Sequence, residues 1–131
     1  MLILDTCALI YDALNPASLS RKAVKAIEKG EEGGVLAFSD ISLWEIAMLI
    51  GKGRLDPGTD AITFLRLLHT ARKIRILPIT PEIAATSANS SIFAHGDPAD
   101  RIIAATAIAH DAELVTCDGY LSAVKGLRVI W

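Results

Sequence analysis

Five short, largely apolar runs constrain what this chain can fold into more than any other feature. They lie at residues 1–4 (Met-Leu-Ile-Leu), 35–38 (Val-Leu-Ala-Phe), 74–77 (Ile-Arg-Ile-Leu), 113–117 (Glu-Leu-Val-Thr-Cys) and 128–131 (Arg-Val-Ile-Trp). None shows the clean polar–apolar alternation of a strand with one wet face, so each reads as a strand covered on both sides. Helical patterns separate them. A helix over 6–14 is stopped by Asn15-Pro16, and one over 20–29 points Ala23, Val24 and Ile27 inward and Arg21, Lys22 and Lys25 outward, with Gly30 as its end. Ser39 and Asp40 offer caps for a helix over 41–51, which Gly51-Lys52-Gly53 terminates. Residues 60–73 place Phe64, Leu65, Leu67, Leu68 and Ala71 on one broad helical face, and Thr80-Pro81 opens a helix running to 89 or 92. A final helix over 99–110 is apolar nearly all round, which implies burial on more than one side. Strands alternating with helices in this way predict an α/β three-layer sandwich around a central parallel sheet of about five strands.

At 131 residues the chain is sized for a single domain spanning 1–131, and no repeat, linker or low-complexity tract divides it. A mean hydropathy of +0.42 with a net charge of -2 excludes disorder. The longest apolar stretches fall well short of the ~20 residues a bilayer span needs. The amino terminus has no basic segment and meets Asp5 where a signal peptide would continue apolar, so a cytoplasmic location is expected. Cys7 and Cys117 are too few for a disulfide scaffold and are expected as reduced, small, buried core residues. With 15 acids against 13 bases, the chain is no general basic binder of nucleic acid.

In an open parallel sheet, ligands bind beyond the carboxyl ends of the strands. Here that end collects acids. Asp5 follows the first strand and Asp118 the fourth, Glu45 lies in the helix after the second, and Asp97 and Asp100 open the helix before the fourth. Each has an ordinary reading: Asp5 as a helix cap, Asp118-Gly119 as a turn, Ser42-Leu-Trp-Glu45 as a capping box, and Asp97-Pro98-Ala99-Asp100 as a cap, a first-turn proline and an acid matched to the helix dipole. Two observations outweigh those readings. Glu45 is the only polar residue from Leu43 to Ile50, where a carboxylate is costly without compensation. Two carboxylates about 4 Å apart also repel by roughly 4 kcal/mol at an effective dielectric of 20, a large fraction of a typical stability of about 5–15 kcal/mol. A divalent cation among them resolves both problems. An all-carboxylate donor set suits Mg²⁺ or Mn²⁺ over Zn²⁺. His69 and His110 show no ligand spacing, and His95, two residues before Asp97, is the one histidine retained as a minor candidate.

An apolar first strand closed by Asp5-Thr6, a Ser42-Leu-Trp-Glu45 helix, Gly96-Asp97-Pro98-Ala99-Asp100-Arg101 before a small-residue helix, and Thr116-Cys117-Asp118 together resemble a PIN domain. Any one of these motifs is weak, but four in this order and spacing, over the whole chain, are specific. The short form resembles the VapC ribonuclease toxins of prokaryotic type II toxin–antitoxin pairs. That resemblance implies a Mg²⁺- or Mn²⁺-dependent endoribonuclease whose metal and catalytic acids match Asp5, Glu45, Asp100 and Asp118. Asp97 is the better helix cap and stays open as an auxiliary, as does its rank against Asp100. Thr6 and Thr116 match positions that carry a hydroxyl able to orient a carboxylate or a water, and Arg101 either contacts the scissile phosphate or pairs with a neighbouring acid. Implied partners are an RNA substrate, a cognate antitoxin and a second copy in a homodimer; the Trp44, Met48 and Ile50 side of the Glu45 helix offers apolar surface for such contacts.

Rival α/β phosphotransfer domains fail on the residues present. A haloacid dehalogenase-like phosphatase needs an aspartate where Cys7 stands, and a receiver needs a phosphoacceptor where Leu77-Pro78-Ile79 stands. The alternative from another class is a catalytically silent PIN-like module that binds RNA or protein. It predicts loss of one or more of the acids, and all are present.

Overall fold

Strand side chains divide between two apolar layers in a computed structural model that describes residues 1–94 and 96–131. The strands are β1 (Leu2–Leu4), β2 (Leu36–Ser39), β3 (Arg75–Leu77), β4 (Glu113–Val115) and β5 (Arg128–Ile130). All pair in parallel, in the order β3-β2-β1-β4-β5, with Leu2 opposite Leu36 on one side and Glu113 on the other. Successive residues on a strand point to opposite faces. Leu2, Leu4, Leu36, Phe38 and Val115 therefore meet α1 (Thr6–Leu14), α2 (Arg21–Glu32), α3 (Ile41–Gly51) and α4 (Ala61–Thr70). Ile3, Ala37, Leu77 and Leu114 meet α5 (Pro81–Ser87), α6 (Pro98–Ala109) and α7 (Gly119–Ser122). The expected three-layer sandwich with a five-stranded parallel sheet is the observed architecture.

The order also locates a switch point. From central β1 the chain builds outward to β2 and β3, then returns to lay β4 and β5 on the other side. The carboxyl ends of β1 and β4 therefore flank the crevice in which an open parallel sheet binds ligands.

Three element boundaries depart from expectation. Gly30 does not end α2: the helix continues to Glu32, and Gly30 is its point of closest approach to the sheet, where a Cβ would stand 2.6 Å from Leu36 Cδ2. α4 ends at Thr70 because Lys73 takes a left-handed conformation (φ 55°) that turns the chain into β3. α5 stops at Ser87, and Asn89 then folds its side-chain oxygen onto the Ser91 N–H, a local turn that competes with helix. The nearly all-apolar α6 is enclosed as expected, with Ile103 to Ala107 buried throughout. No helix among the described residues is long and apolar enough to cross a membrane.

Candidate active site

Of the helices that begin at the carboxyl pole of the sheet, three are capped by an aspartate side chain. Asp5 Oδ1 accepts from Ala8 N–H at 2.7 Å at the start of α1, Asp97 Oδ1 from Ala99 N–H at 2.8 Å at the start of α6, and Asp118 Oδ1 from Tyr120 N–H at 2.8 Å at the start of α7. A carboxylate has two oxygens. Capping engages Oδ1 of each residue, so the capping reading and the cluster reading hold together. The helix N-termini also bring partial positive charge to a pole that collects acids.

Glu45 reaches the pole differently. The expected Ser42–Glu45 capping box does not form, because α3 starts at Ile41, two residues before a Ser42 cap would place it, and the Ile41 N–H bonds to Ser39 Oγ at 3.3 Å. Asp40 does not cap α3 either; its Oδ2 accepts from the Ile79 N–H at 3.3 Å. Ser42 is instead a buried second-position residue facing Thr6, with the two hydroxyls 2.9 Å apart. Thr6 has one hydroxyl hydrogen and gives it to Glu45 Oε1 at 2.5 Å, so Ser42 is the donor to Thr6. The Glu45 carboxylate is turned by this chain toward α6.

Glu45, Asp97 and Asp100 each offer an oxygen such that the three atoms lie within 4.8 Å of one another, the one such group among the described residues. The electrostatics widen the group. Asp100 is pushed up to about 7, first by burial and then by the negative charges of Glu45, Asp97, Asp118 and Asp5. Burial also raises Glu45, with Asp97 and Asp5 adding to it and the Thr6 hydrogen bond opposing it. Asp5, only 6% exposed, is raised by burial and by Asp118 against hydrogen bonds from Thr116 and Ala8. Five carboxylates from four segments thus share one field. Bringing them together without a counter-charge is unfavourable, and their all-oxygen donor set fits a hard divalent cation.

Other expected residues fall as follows. Thr116 is buried between the two strand-closing acids, bonding to Asp5 and accepting from the Asp118 N–H at 3.1 Å. Among the described residues Arg101 makes no ion pair with an acid, and its buried Nε has no hydrogen-bond partner. His95 lies outside the described residues. Cys7 and Cys117 are not core residues: both are exposed, two residues after Asp5 and next to Asp118, where the thiols feel the charge of the pole acids. Arg72 pairs with Asp12 at 2.8 Å and with Glu31, joining α1, α2 and the end of α4.

One contact was not legible beforehand. The Tyr120 ring lies against Gly96, where a Cβ would meet Tyr120 Cε1 at 2.8 Å, and Gly96 has a φ of +116°. This contact fixes the chain just before Asp97. The only sequence signal was a glycine next to an acid, and nothing local linked it to a tyrosine 24 positions on (120 − 96).

A parallel α/β sandwich with acids converging at its switch point is the architecture of a PIN domain. The family model for the PIN domain matches residues 2–127, and the chain belongs to that family. It is similar to Ribonuclease VapC22 of Mycobacterium tuberculosis, with 38% identity over 128 residues, 98% of this chain and 95% of that protein. Among solved structures it shares the fold of VapBC2 from Rickettsia felis bound to a DNA fragment from their promoter, at a TM-score of 0.71, 19% identity and coverage of 98% and 96%. It also shares the fold of a toxin–antitoxin complex from Klebsiella pneumoniae, at a TM-score of 0.62, 24% identity and coverage of 97% and 95%.

Proposed function

We propose that this protein is a Mg²⁺- or Mn²⁺-dependent endoribonuclease, the toxin of a toxin–antitoxin pair, with Asp5, Glu45, Asp100 and Asp118 as its metal-holding and catalytic acids. The observation that carries this reading is the convergence of Glu45, Asp97 and Asp100, whose oxygens come within 4.8 Å of one another at the pole that Asp5 and Asp118 also charge. Membership of the PIN family and the 38% identity to a ribonuclease support the chemistry. The silent-module alternative requires a missing acid, and the full set is present.

A divalent cation at this pole supplies Lewis acidity, lowering the pKa of an attacking water, orienting the phosphate and neutralising charge on the leaving oxygen. The protein's part is to hold and aim. Asp5 and Asp118, fixed by their capping bonds, are the principal holding residues, and Glu45 and Asp100 complete the set. Asp97 contributes the oxygen its cap leaves over. Thr6 orients Glu45 and Thr116 orients Asp5 through the hydrogen bonds described above. Arg101, without an acid partner among the described residues, contacts the scissile phosphate. Attack by water, not by the ribose 2′-hydroxyl, leaves a 5′-phosphate and a 3′-hydroxyl. On this reading an antitoxin silences the enzyme, which works as a cytoplasmic homodimer.

The test is cleavage of RNA by the purified chain with Mg²⁺ or Mn²⁺, against the same reaction in excess chelator. Metal-dependent cleavage yielding 5′-phosphate ends is expected. Cleavage that persists in chelator, or products ending in 2′,3′-cyclic phosphate, would sink the mechanism.

A further inference from the structure

The acid pole acts on a phosphate, and phosphate contacts carry no sequence information. Any grip on the bases themselves must come from a group near the pole that touches them. Of the seven aromatic side chains (three Phe, two Trp, two Tyr), the phenylalanines are buried and Tyr11, Tyr120 and Trp131 are partly covered. Trp44 alone is exposed, at 59%. It precedes Glu45 by one residue in α3, so its Cα is about 3.8 Å from that of a pole acid and its side chain leaves the helix about 100° round from the Glu45 side chain, toward solvent.

We propose that Trp44 is a substrate-binding residue of the nuclease, an indole platform on which a base of the RNA strand stacks near the scissile phosphate. The inference rests on the ribonuclease reading above. A planar π-face held at a site boundary stacks any base, and in a chain of net charge -2 it supplies hold on the strand that general backbone electrostatics do not. The alternative occupant is a protein, and the surroundings of Trp44 disfavour it. Met48 and Ile50, which with Trp44 looked like a broad apolar side of α3, are partly buried, and Ile50 packs on the core. The exposed Leu14 and Leu67 belong to a separate groove of about 380 Å³ between α1 and α4. What α3 offers beside the pole is one indole, the footprint of a base and less than a stable protein interface covers.

The experiment has two arms. In the first, Trp44→Ala and Trp44→Phe are compared with the parent in RNA cleavage and in solution mass. Trp44→Ala should lower kcat/KM by roughly five- to a hundredfold, the range set by losing one base–aromatic stack, mainly through KM, with Phe restoring most of it and solution mass unchanged. In the second, Trp131, partly covered and tilted against Tyr11 with ring centroids 6.4 Å apart, is replaced by Phe so that Trp44 alone reports. Its fluorescence should be quenched by a mixed-sequence single-stranded RNA 12-mer pool in chelator, where no turnover occurs. A parent that cleaves while Trp44→Ala cleaves equally well overturns this proposal and leaves the ribonuclease reading standing, as does a drop in mass from dimer to monomer in Trp44→Ala. A parent that fails to cleave counts against the ribonuclease reading, and absence of quenching still overturns the proposal on its own.

Discussion

Thr6 gives its hydroxyl hydrogen to Glu45 at 2.5 Å across 39 positions of sequence, and this bond ties the first turn of α1 to α3 at the pole where the acids meet. A carboxylate that burial pushes up is held down here by a neighbouring hydroxyl. Replacing Thr6 with Val keeps the volume and removes the donor. A hydrogen bond to a charged group contributes about 1.5–3 kcal/mol, so Thr6→Val is expected to raise the Glu45 pKa further and move the acidic limb of the kcat/KM profile to higher pH. A pH–rate profile unchanged from the parent would show that Thr6 is structural only.

Asp5 both caps α1 and carries charge at the pole, and the two roles separate by substitution. Asn is as good a cap as Asp, whereas Ala costs roughly 1 kcal/mol of stability. Asp5→Asn is therefore expected to fold with a Tm in the absence of metal at or above the parent's, and to lose cleavage by on the order of a hundredfold or more. Asp5→Ala should lose both. The comparison is made by melting in chelator and by RNA cleavage in Mg²⁺.

Asp100 makes stability and metal binding depend on pH. Its folded pKa of about 7 lies above the ordinary 3.8, so the folded chain holds more protons than the unfolded one between those values. Stability without metal should fall as pH rises from about 4 to 7, and the penalty should be complete above that. Metal binding displaces the proton, so Mg²⁺ affinity should weaken below pH 7 with uptake of metal matched by proton release. Mg²⁺ at about 100 times its dissociation constant should restore roughly 2.7 kcal/mol at pH 8. Calorimetry at about pH 6, where the folded carboxyl still holds its proton, in two buffers of different ionisation enthalpy measures the released proton; identical heats in both would refute the assignment.

Gly96 is held against the Tyr120 ring at a backbone angle that L side chains rarely adopt. Gly96→Ala should cost about 1–3 kcal/mol and, by shifting the chain before Asp97, weaken the Mg²⁺ response. Gly34→Ala is the control: it has φ +65° and nothing within 4 Å, so its strain should lower Tm without touching the metal response.

The alternation of strand and helix, the parallel sheet and the identities of the polar acids were all legible in the chain, because apolar periodicity and capping residues act within a few neighbours of themselves. Gly30 shows where that locality misleads. A glycine after an amphipathic run signals a helix end, yet here the absent Cβ serves contact with Leu36, a residue on the next strand. Cys7 and Cys117 mislead in the same way: small apolar residues beside buried strands read as core, and only the neighbours' positions show that both face outward. The supposed capping box Ser42–Glu45 had the right spacing, but a partner from another helix, Thr6, claimed both side chains.

By itself, then, the sequence determined which segments are strands, which acids close them and that Asp5 and Asp97 cap helices, since each of these follows from short-range sterics and hydrogen bonding; Asp118, read as a turn, proved to cap α7. Tertiary structure decided that the acids share one field. The order β3-β2-β1-β4-β5 places β4 beside β1, bringing Asp118 to Asp5 across more than a hundred residues, and α6 then delivers Asp97 and Asp100 to Glu45. Charge repulsion depends on distance through space, which the order of residues along a chain does not specify.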